Sequence, residues 1–218
     1  MSLTLWHCRD SRSLRPLWLL EEMQLEYTLV DLPFPPRVFD KSYLQINPLG
    51  TVPFFRDDTS TATVEMTEST AICHYLVQRY KESAPSLALT AEDPEYGDYL
   101  NWLYHADATL TFPQALMLRY GKFEAAERRS EQVAEDYRHW YLSRLRKLET
   151  HLLGRQYLVA ERFTIADIAI GYALYLGEFS GAAQSYSPLT LDYLQRLKQR
   201  AAFQRSARLG EKGVLHQS

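Results

Sequence analysis

A chain of 218 residues, 46% hydrophobic and 23% charged, can build ordinary cores for one large domain or two modest ones, and its formal net charge of −3 excludes a general attraction to nucleic acid or anionic membranes. Two cysteines far apart, Cys8 and Cys73, exclude a disulfide framework and suit a reducing compartment. The start of the chain has no apolar core of a signal peptide, and the longest uncharged apolar run, residues 168–177, is far short of a membrane span, so a cytoplasmic protein is expected.

Residues 3–6 predict a short strand. Leu14, Leu17, Trp18 and Leu20 recur at helical spacing and predict a helix over 14–23. Residues 27–32 read as a second strand. Residues 52–56 and 62–66, separated by Asp57-Asp58-Thr59-Ser60, read as an antiparallel hairpin with a polar turn. Over 69–80, Ile72, Leu76 and Tyr80 share a helical face with Cys73 and Val77 beside them, which makes Cys73 a core residue. The order β-α-β then β-β-α fits a small α/β sandwich with a mixed sheet.

Two segments of this region carry ligand chemistry. Leu49-Gly50-Thr51-Val52-Pro53 ends in a proline that has no N–H to give a sheet. A cis Val52–Pro53 bond would bend the chain and leave one side of the Val52 backbone free to pair with an extended ligand. Glu68-Ser69-Thr70-Ala71-Ile72 opens a helix with a carboxylate beside a hydroxyl, where orphan N–H groups and the dipole favour an anion. Together they can hold a short peptide, its backbone on Val52 and its free α-amino acid end on Glu68 and Ser69. The plain alternative is a loop followed by a capped helix.

Ser83-Ala84-Pro85-Ser86 and Ala91-Glu92-Asp93-Pro94 interrupt the pattern. They predict a linker over 83–94 between a first domain, 1–82, and a second, 95–218. No strand signals of similar quality follow. Residues 96–118 read as one helix, and 128–153 as a long helix with Leu142, Leu145, Leu148 and Leu152 on its buried face. Thr164 and Asp167 form a capping box, with Phe163 and Ile168 as its hydrophobic staple. The helix they open is apolar all round and should be the centre of a bundle, so Asp167 is a cap rather than a catalytic acid. Arg196, Lys198, Arg200, Arg205, Arg208 and Lys212 read as a solvated basic face, with attraction of anions as the alternative. The histidines at 7, 74, 105, 139, 151 and 216 have no metal-ligand spacing, and no glycine-rich phosphate loop occurs.

The small mixed α/β domain with its X-Pro bend and Glu-Ser helix start, the linker, and the helical domain centred on a Thr-x-x-Asp box resemble the soluble glutathione transferases over nearly the whole chain. The segment Ser11-Arg12-Ser13-Leu14-Arg15-Pro16-Leu17-Trp18-Leu19-Leu20-Glu21-Glu22 resembles the first helix of bacterial and fungal members with an active-site serine. The resemblance implies a thioredoxin-like N-terminal domain with a mixed four-stranded sheet, then an all-α bundle that receives a small apolar electrophile. It implies glutathione as co-substrate, no metal, a homodimer, and conjugation to electrophiles as a detoxifying activity. It further implies that Val52, Pro53, Glu68 and Ser69 bind glutathione, and that Ser11, four residues before Arg15, supports its thiolate. Ser13 is then the helix N-cap, and Asp10, a poor neighbour for a thiolate, points away.

The chain departs from the family pattern at two places. Pro16 stands where an aliphatic residue is expected and must lie in the first helical turn, and Ala160 stands where glycine is common. Cys8-Arg9-Asp10-Ser11 is a C-x-x-S arrangement similar to that of cysteine-type transferases and monothiol disulfide reductases, which makes Cys8 a rival nucleophile, although it falls early relative to Arg15. Tyr99, Tyr104, Phe112 and Tyr120 could face an apolar ligand or serve as core or dimer contacts. Conjugation is the favoured activity. A glutathione-dependent disulfide or peroxide reductase, and a non-catalytic glutathione-binding or regulatory module, are the alternatives.

Overall fold

The computed structural model describes residues 2–59, 61–83 and 85–210, so Ser60 of the expected hairpin turn, Ala84 of the linker, and Lys212 and His216 lie outside the described residues. The chain divides into two compact units, Met1–Ala88 together with the chain from Gln199, and Leu89–Lys198.

The first unit opens with β1 (Leu3–His7), α1 (Leu14–Met23) and β2 (Tyr27–Asp31). A four-residue α2 (Pro36–Phe39) and a 3-10 turn (Lys41–Gln45) follow, and then β3 (Phe54–Asp57), β4 (Val64–Met66) and α3 (Ser69–Arg79). The sheet order is β2-β1-β3-β4, with β1 and β2 parallel and the other pairs antiparallel. This is the expected thioredoxin-like mixed sheet. In the central pairing Leu5 lies opposite Leu29 on one side and Phe55 on the other, and Leu5 and Phe55 are fully buried. Leu14, Leu17, Trp18, Leu19 and Leu20 are all buried, so α1 is enclosed rather than amphipathic, and it packs against α3. Pro16 is in the first turn of α1, where its missing N–H costs nothing.

The second unit is helical. The expected helix over 96–118 is broken into α4 (Tyr96–His105), a π-helical turn (Ala106–Thr111) and α5 (Phe112–Leu118), followed by a second π turn (Arg119–Phe123). Pro113 lies in the first turn of α5, where its missing N–H costs little, and within the π turn the Thr111 hydroxyl donates to the Ala106 carbonyl at 2.7 Å. The long helix is α6 (Glu131–Leu152), capped by Ser130, whose Oγ accepts from Val133 N at 3.3 Å. Its buried face is Tyr141, Leu145, Leu148 and Leu152, and Leu142 of the expected face lies at the edge, half-buried.

At the centre runs α7 (Ile165–Ser180), buried from Ile165 to Leu174. The capping box is formed: Thr164 N–H donates to Asp167 Oδ2 at 2.8 Å, and Thr164 Oγ1 caps the first turn. Asp167 also accepts from Leu158 N at 3.0 Å and from the Tyr193 hydroxyl at 2.8 Å, which ties the helix start to the preceding loop and to α8 (Pro188–Lys198). Burial pushes the Asp167 carboxyl up to about 6 against these donors. Ala160 and Glu161 have φ of +53° and +50° inside a bridge between Val159 and Arg162, so the turn uses the left-handed backbone that favours glycine, and Glu95 Oε2 holds it through Ala160 N–H at 2.6 Å.

The last helix, α9 (Ala201–Ser206), packs on α1 of the first unit, whereas the sequence places everything from residue 95 in the helical domain. Phe203 meets Trp18 edge-on at 4.9 Å, Arg200 forks onto Glu22 at 2.6 and 2.9 Å, and Arg205 reaches Glu21 at 2.6 Å. Helical periodicity marks a buried face but not the element it docks on, which is why this return was not legible.

Asp167→Ala should strand two backbone N–H groups and a tyrosine hydroxyl in the core. A loss of about 2–4 kcal/mol in urea unfolding is expected. A loss below about 0.5 kcal/mol would show that the capping box contributes nothing.

Candidate active site

The chain leaves β1 at His7 and turns at Cys8-Arg9-Asp10-Ser11, closed by Ser11 N–H on the Cys8 carbonyl at 3.2 Å. Asp10 takes φ of +61° in this turn, which an Asp tolerates, and it is buried rather than turned out to solvent. The turn delivers Ser11 to the N-terminal end of α1, where partial positive charge accumulates. Its hydroxyl lies 2.7 Å from the Cys8 carbonyl and 2.7 Å from Ser13 Oγ, and Ser11 keeps 8% of its surface exposed.

Ser13 occupies the N-cap position of α1 but makes no side-chain cap. Its backbone is already in the α region, and its Oγ turns back toward β1 instead. There it accepts from Cys8 N–H at 3.3 Å and lies 2.8 Å from His7 Nδ1. His7 has no exposed surface, and burial pulls its pKa down to about 4, so the ring is neutral at pH 7. Asp31 opposes that fall, as does the backbone of Leu209.

Cys8 fares differently from a reactive thiol. It is fully buried in an apolar cluster with Trp6, Leu32, Tyr43, Val52 and Phe54, and its thiol faces the Pro33 carbonyl at 3.6 Å. Burial and the nearby Asp31 push the thiol up to about 12, so no thiolate forms at neutral pH.

The same cluster brings Val52 close to the turn. The Val52–Pro53 bond is cis, and the Val52 N–H and C=O make no hydrogen bond among the described residues. The segment before it is firmly held: Tyr43 Oη and Asn47 Nδ2 both donate to the Thr51 carbonyl, at 2.7 and 2.8 Å. Gly50 has φ of +61°, and a Cβ there would lie 2.6 Å from Arg37 Cβ, so only glycine fits. Tyr43 and Asn47 were not visible as site residues in the sequence, because their role depends on a loop folded across them.

Glu68 is the exposed N-cap residue of α3, and Ser69 is its buried first residue. The Ser69 hydroxyl accepts from Arg15 Nη1 at 2.9 Å. Arg15 has no exposed surface, a position that helical periodicity does not suggest for an arginine. Its donation fills a lone pair of Ser69 Oγ and leaves the Ser69 proton to be given to an acceptor outside. Ser11, Val52 and Ser69 are thus anchored around the N-terminal half of α1. The four aromatic candidates share no single environment: Tyr99 is fully buried, Tyr120 is half-buried, and Tyr104 and Phe112 are 64% and 50% exposed. Four of the basic residues near the C-terminus have partners: Lys198 holds Glu178 at 2.7 Å, Arg196 donates to the Gln156 carbonyl, and Arg200 and Arg205 hold Glu22 and Glu21. Among the described residues no His, Cys, Asp and Glu cluster could hold a metal ion, and no helix is long and apolar enough to cross a membrane.

A mixed four-stranded sheet with an X-Pro loop and a Glu-Ser helix start is the architecture of a glutathione S-transferase N-terminal domain, and residues 1–78 match the family of that description. The chain is 29% identical over 192 residues to glutathione S-transferase 3 of Schizosaccharomyces pombe, covering 81% of this chain and 74% of that one. It is 27% identical over 206 residues to glutathione S-transferase GstB of Escherichia coli, covering 92% and 95%. Its fold is similar to that of BphK, a bacterial GST solved as a ternary complex, with a TM-score of 0.80 and 23% identity over 94% of this chain and 98% of that one. Residues 1–78 belong to the glutathione S-transferase N-terminal domain family, and over most of its length the chain is similar to soluble glutathione transferases.

The depressed pKa of His7 has a measurable consequence. The folded state holds this proton less tightly than the unfolded state does, so the contribution of His7 to stability is present above pH 6.5 and is lost as pH falls through about 4. Asp167, raised to about 6, acts in the opposite sense over an overlapping range, so the comparison must be made with a variant. The stability gap between the wild type and His7→Asn should narrow by about 3 kcal/mol between pH 6.5 and pH 4 in urea titrations. A gap that does not change with pH would mean that His7 is not held neutral.

Proposed function

We propose that the protein conjugates the thiolate of glutathione to small apolar electrophiles. Glu68 takes the ammonium of the γ-glutamyl end, Ser69 donates to its carboxylate, and the free backbone of Val52, shaped by Pro53, pairs with the cysteinyl residue. Ser11 donates its hydroxyl proton to the sulfur at the positive end of α1. A free thiol has a pKa near 8.5, and lowering it by two units requires about 2.7 kcal/mol of preferential thiolate stabilisation, within reach of one hydroxyl donor and a helix terminus. The thiolate then attacks carbon, the carbon–sulfur bond forms, and the leaving group departs with its electron pair. The observation that carries this reading is the Arg15–Ser69 hydrogen bond, which sets an otherwise ordinary helix start to donate to an anion.

Glutathione should raise the melting temperature, since a ligand at a hundred times its Kd adds about 2.7 kcal/mol of stability. Ser69→Ala should weaken that binding by about 1.5–3 kcal/mol, the worth of a hydrogen bond to a charged group. No thermal shift at millimolar glutathione would refute the binding site.

Ser11→Ala should lower conjugation at pH 6.5 by roughly ten- to hundredfold, with part of the loss recovered at higher pH. Cys8→Ser should leave turnover nearly intact, because the buried, neutral Cys8 thiol only flanks the site. The opposite pattern, with a mixed disulfide trapped on Cys8, would establish a disulfide reductase. A protein that binds glutathione but turns over neither a chloroaromatic, a hydroperoxide nor a mixed disulfide would be the non-catalytic module.

A homodimer completes the proposal. Val38, Phe39, Leu44, Ile46 and Leu49 are exposed apolar residues in one short stretch of the first unit, the kind of surface that a closed two-fold contact buries. Light scattering at micromolar concentration should give twice 25.4 kDa, and a stable monomer would refute this part.

A further inference from the structure

Three short contacts join a ring nitrogen, two hydroxyls and a carbonyl: His7 Nδ1 to Ser13 Oγ at 2.8 Å, Ser13 Oγ to Ser11 Oγ at 2.7 Å, and Ser11 Oγ to the Cys8 carbonyl at 2.7 Å. Each contact at such a distance needs a proton between its atoms. The two hydroxyls supply two, and the carbonyl supplies none. The third must come from Nδ1, so the neutral ring carries its proton there. The protons then run in one direction, from His7 to Ser13, from Ser13 to Ser11, and from Ser11 outward.

We propose that His7 is a positioning residue for Ser11, acting through the Ser13 hydroxyl to make Ser11 an obligate donor. With its two lone pairs taken by the Ser13 hydroxyl and by the Ser13 N–H at 3.3 Å, Ser11 has only its own proton to offer. That proton rests on the Cys8 carbonyl and passes to a bound sulfur when one arrives. Donation into Ser11 Oγ also polarises its O–H and strengthens the bond it gives. The inference rests on the reading of Ser11 as the thiolate's partner.

Nε2 makes no hydrogen bond of normal geometry, while Nδ1 lies 2.8 Å from Ser13 Oγ, so the single proton of the neutral ring is better placed on Nδ1. Asp31 from β2 and the Leu209 backbone favour a second proton on the ring, while Arg9 and burial oppose it, and burial dominates. Gly210, with φ of +88°, closes the pocket: a Cβ there would stand 3.2 Å from Nε2 and 3.1 Å from Asp31 Oδ1.

The test is the pH dependence of kcat/KM for conjugation in the full-length protein, together with the ultraviolet absorbance of the thiolate in its glutathione complex. His7→Phe should move the thiol titration alkaline by about half to one pH unit, a loss of about three- to tenfold at pH 6.5, with KM for glutathione within about twofold. His7→Asn, whose amide N–H can take the place of Nδ1–H, should restore most of that loss. Ser13→Ala should give the same shift as His7→Phe, and the double variant no more than either alone. Should His7→Phe fail to fold, Ser13→Ala decides the matter. An unshifted profile in these variants, or no rescue by asparagine, while Ser11→Ala does shift it, overturns the relay and leaves Ser11 standing. An unshifted profile in Ser11→Ala overturns both.

Discussion

Arg15 lies wholly inside the first unit and donates to Ser69 Oγ at 2.9 Å. A guanidinium keeps its charge at any physiological pH, so it can be buried only where polar partners surround it, and removing one of them leaves a charge in a medium that solvates it poorly. The contact therefore fixes the start of α3 against the first turns of α1. Most of the proposed chemistry refers back to α1: the serine pair at its N-terminal end, the turn from β1 that enters it, and the helix start bonded to its second residue, Arg15. The α9 helix closes over the other side of α1 with two ion pairs and an edge-on aromatic contact, and so completes the enclosure.

Local patterns carried much of this organisation. The strand and helix order of the first unit, the X-Pro bend, the Glu-Ser helix start and the Thr164–Asp167 box are written in residues close together in sequence, where backbone chemistry alone limits the outcome. Asp167 reads as a cap from the sequence and is one in the structure, and Cys73 reads as core and is buried. The expected Ser13 cap was reasonable by residue type. It failed because the backbone of Ser13 is already helical and its hydroxyl finds partners in the preceding turn.

What stayed hidden depends on distant contacts. Nothing in the spacing of α1 marks its second residue for burial, and only α3, 54 residues further on, makes Arg15 a buried donor. The basic residues at 200 and 205 read as a solvated face and instead pair with Glu22 and Glu21, 178 and 184 residues earlier. Tyr141 replaced Leu142 on the buried face of α6 because its hydroxyl meets that of Tyr186 beside Gly177, where a side chain would have no room. The single helix read over 96–118 is two helices joined by a π turn, within which the Thr111 hydroxyl bonds the Ala106 carbonyl.

The burial of both cysteines bears on how such a protein survives its own substrates. Cys8 has no exposed surface and a thiol pKa near 12, and Cys73 has 1% of its surface exposed. The chain has no other cysteine. A catalyst that brings alkylating or oxidising compounds to a thiolate would, in this arrangement, offer them only the sulfur of its co-substrate. Its own sulfur would escape alkylation and glutathione-disulfide exchange alike. Wear from side reactions would then fall on a molecule that is replaced at every turnover, and the protein would be spared.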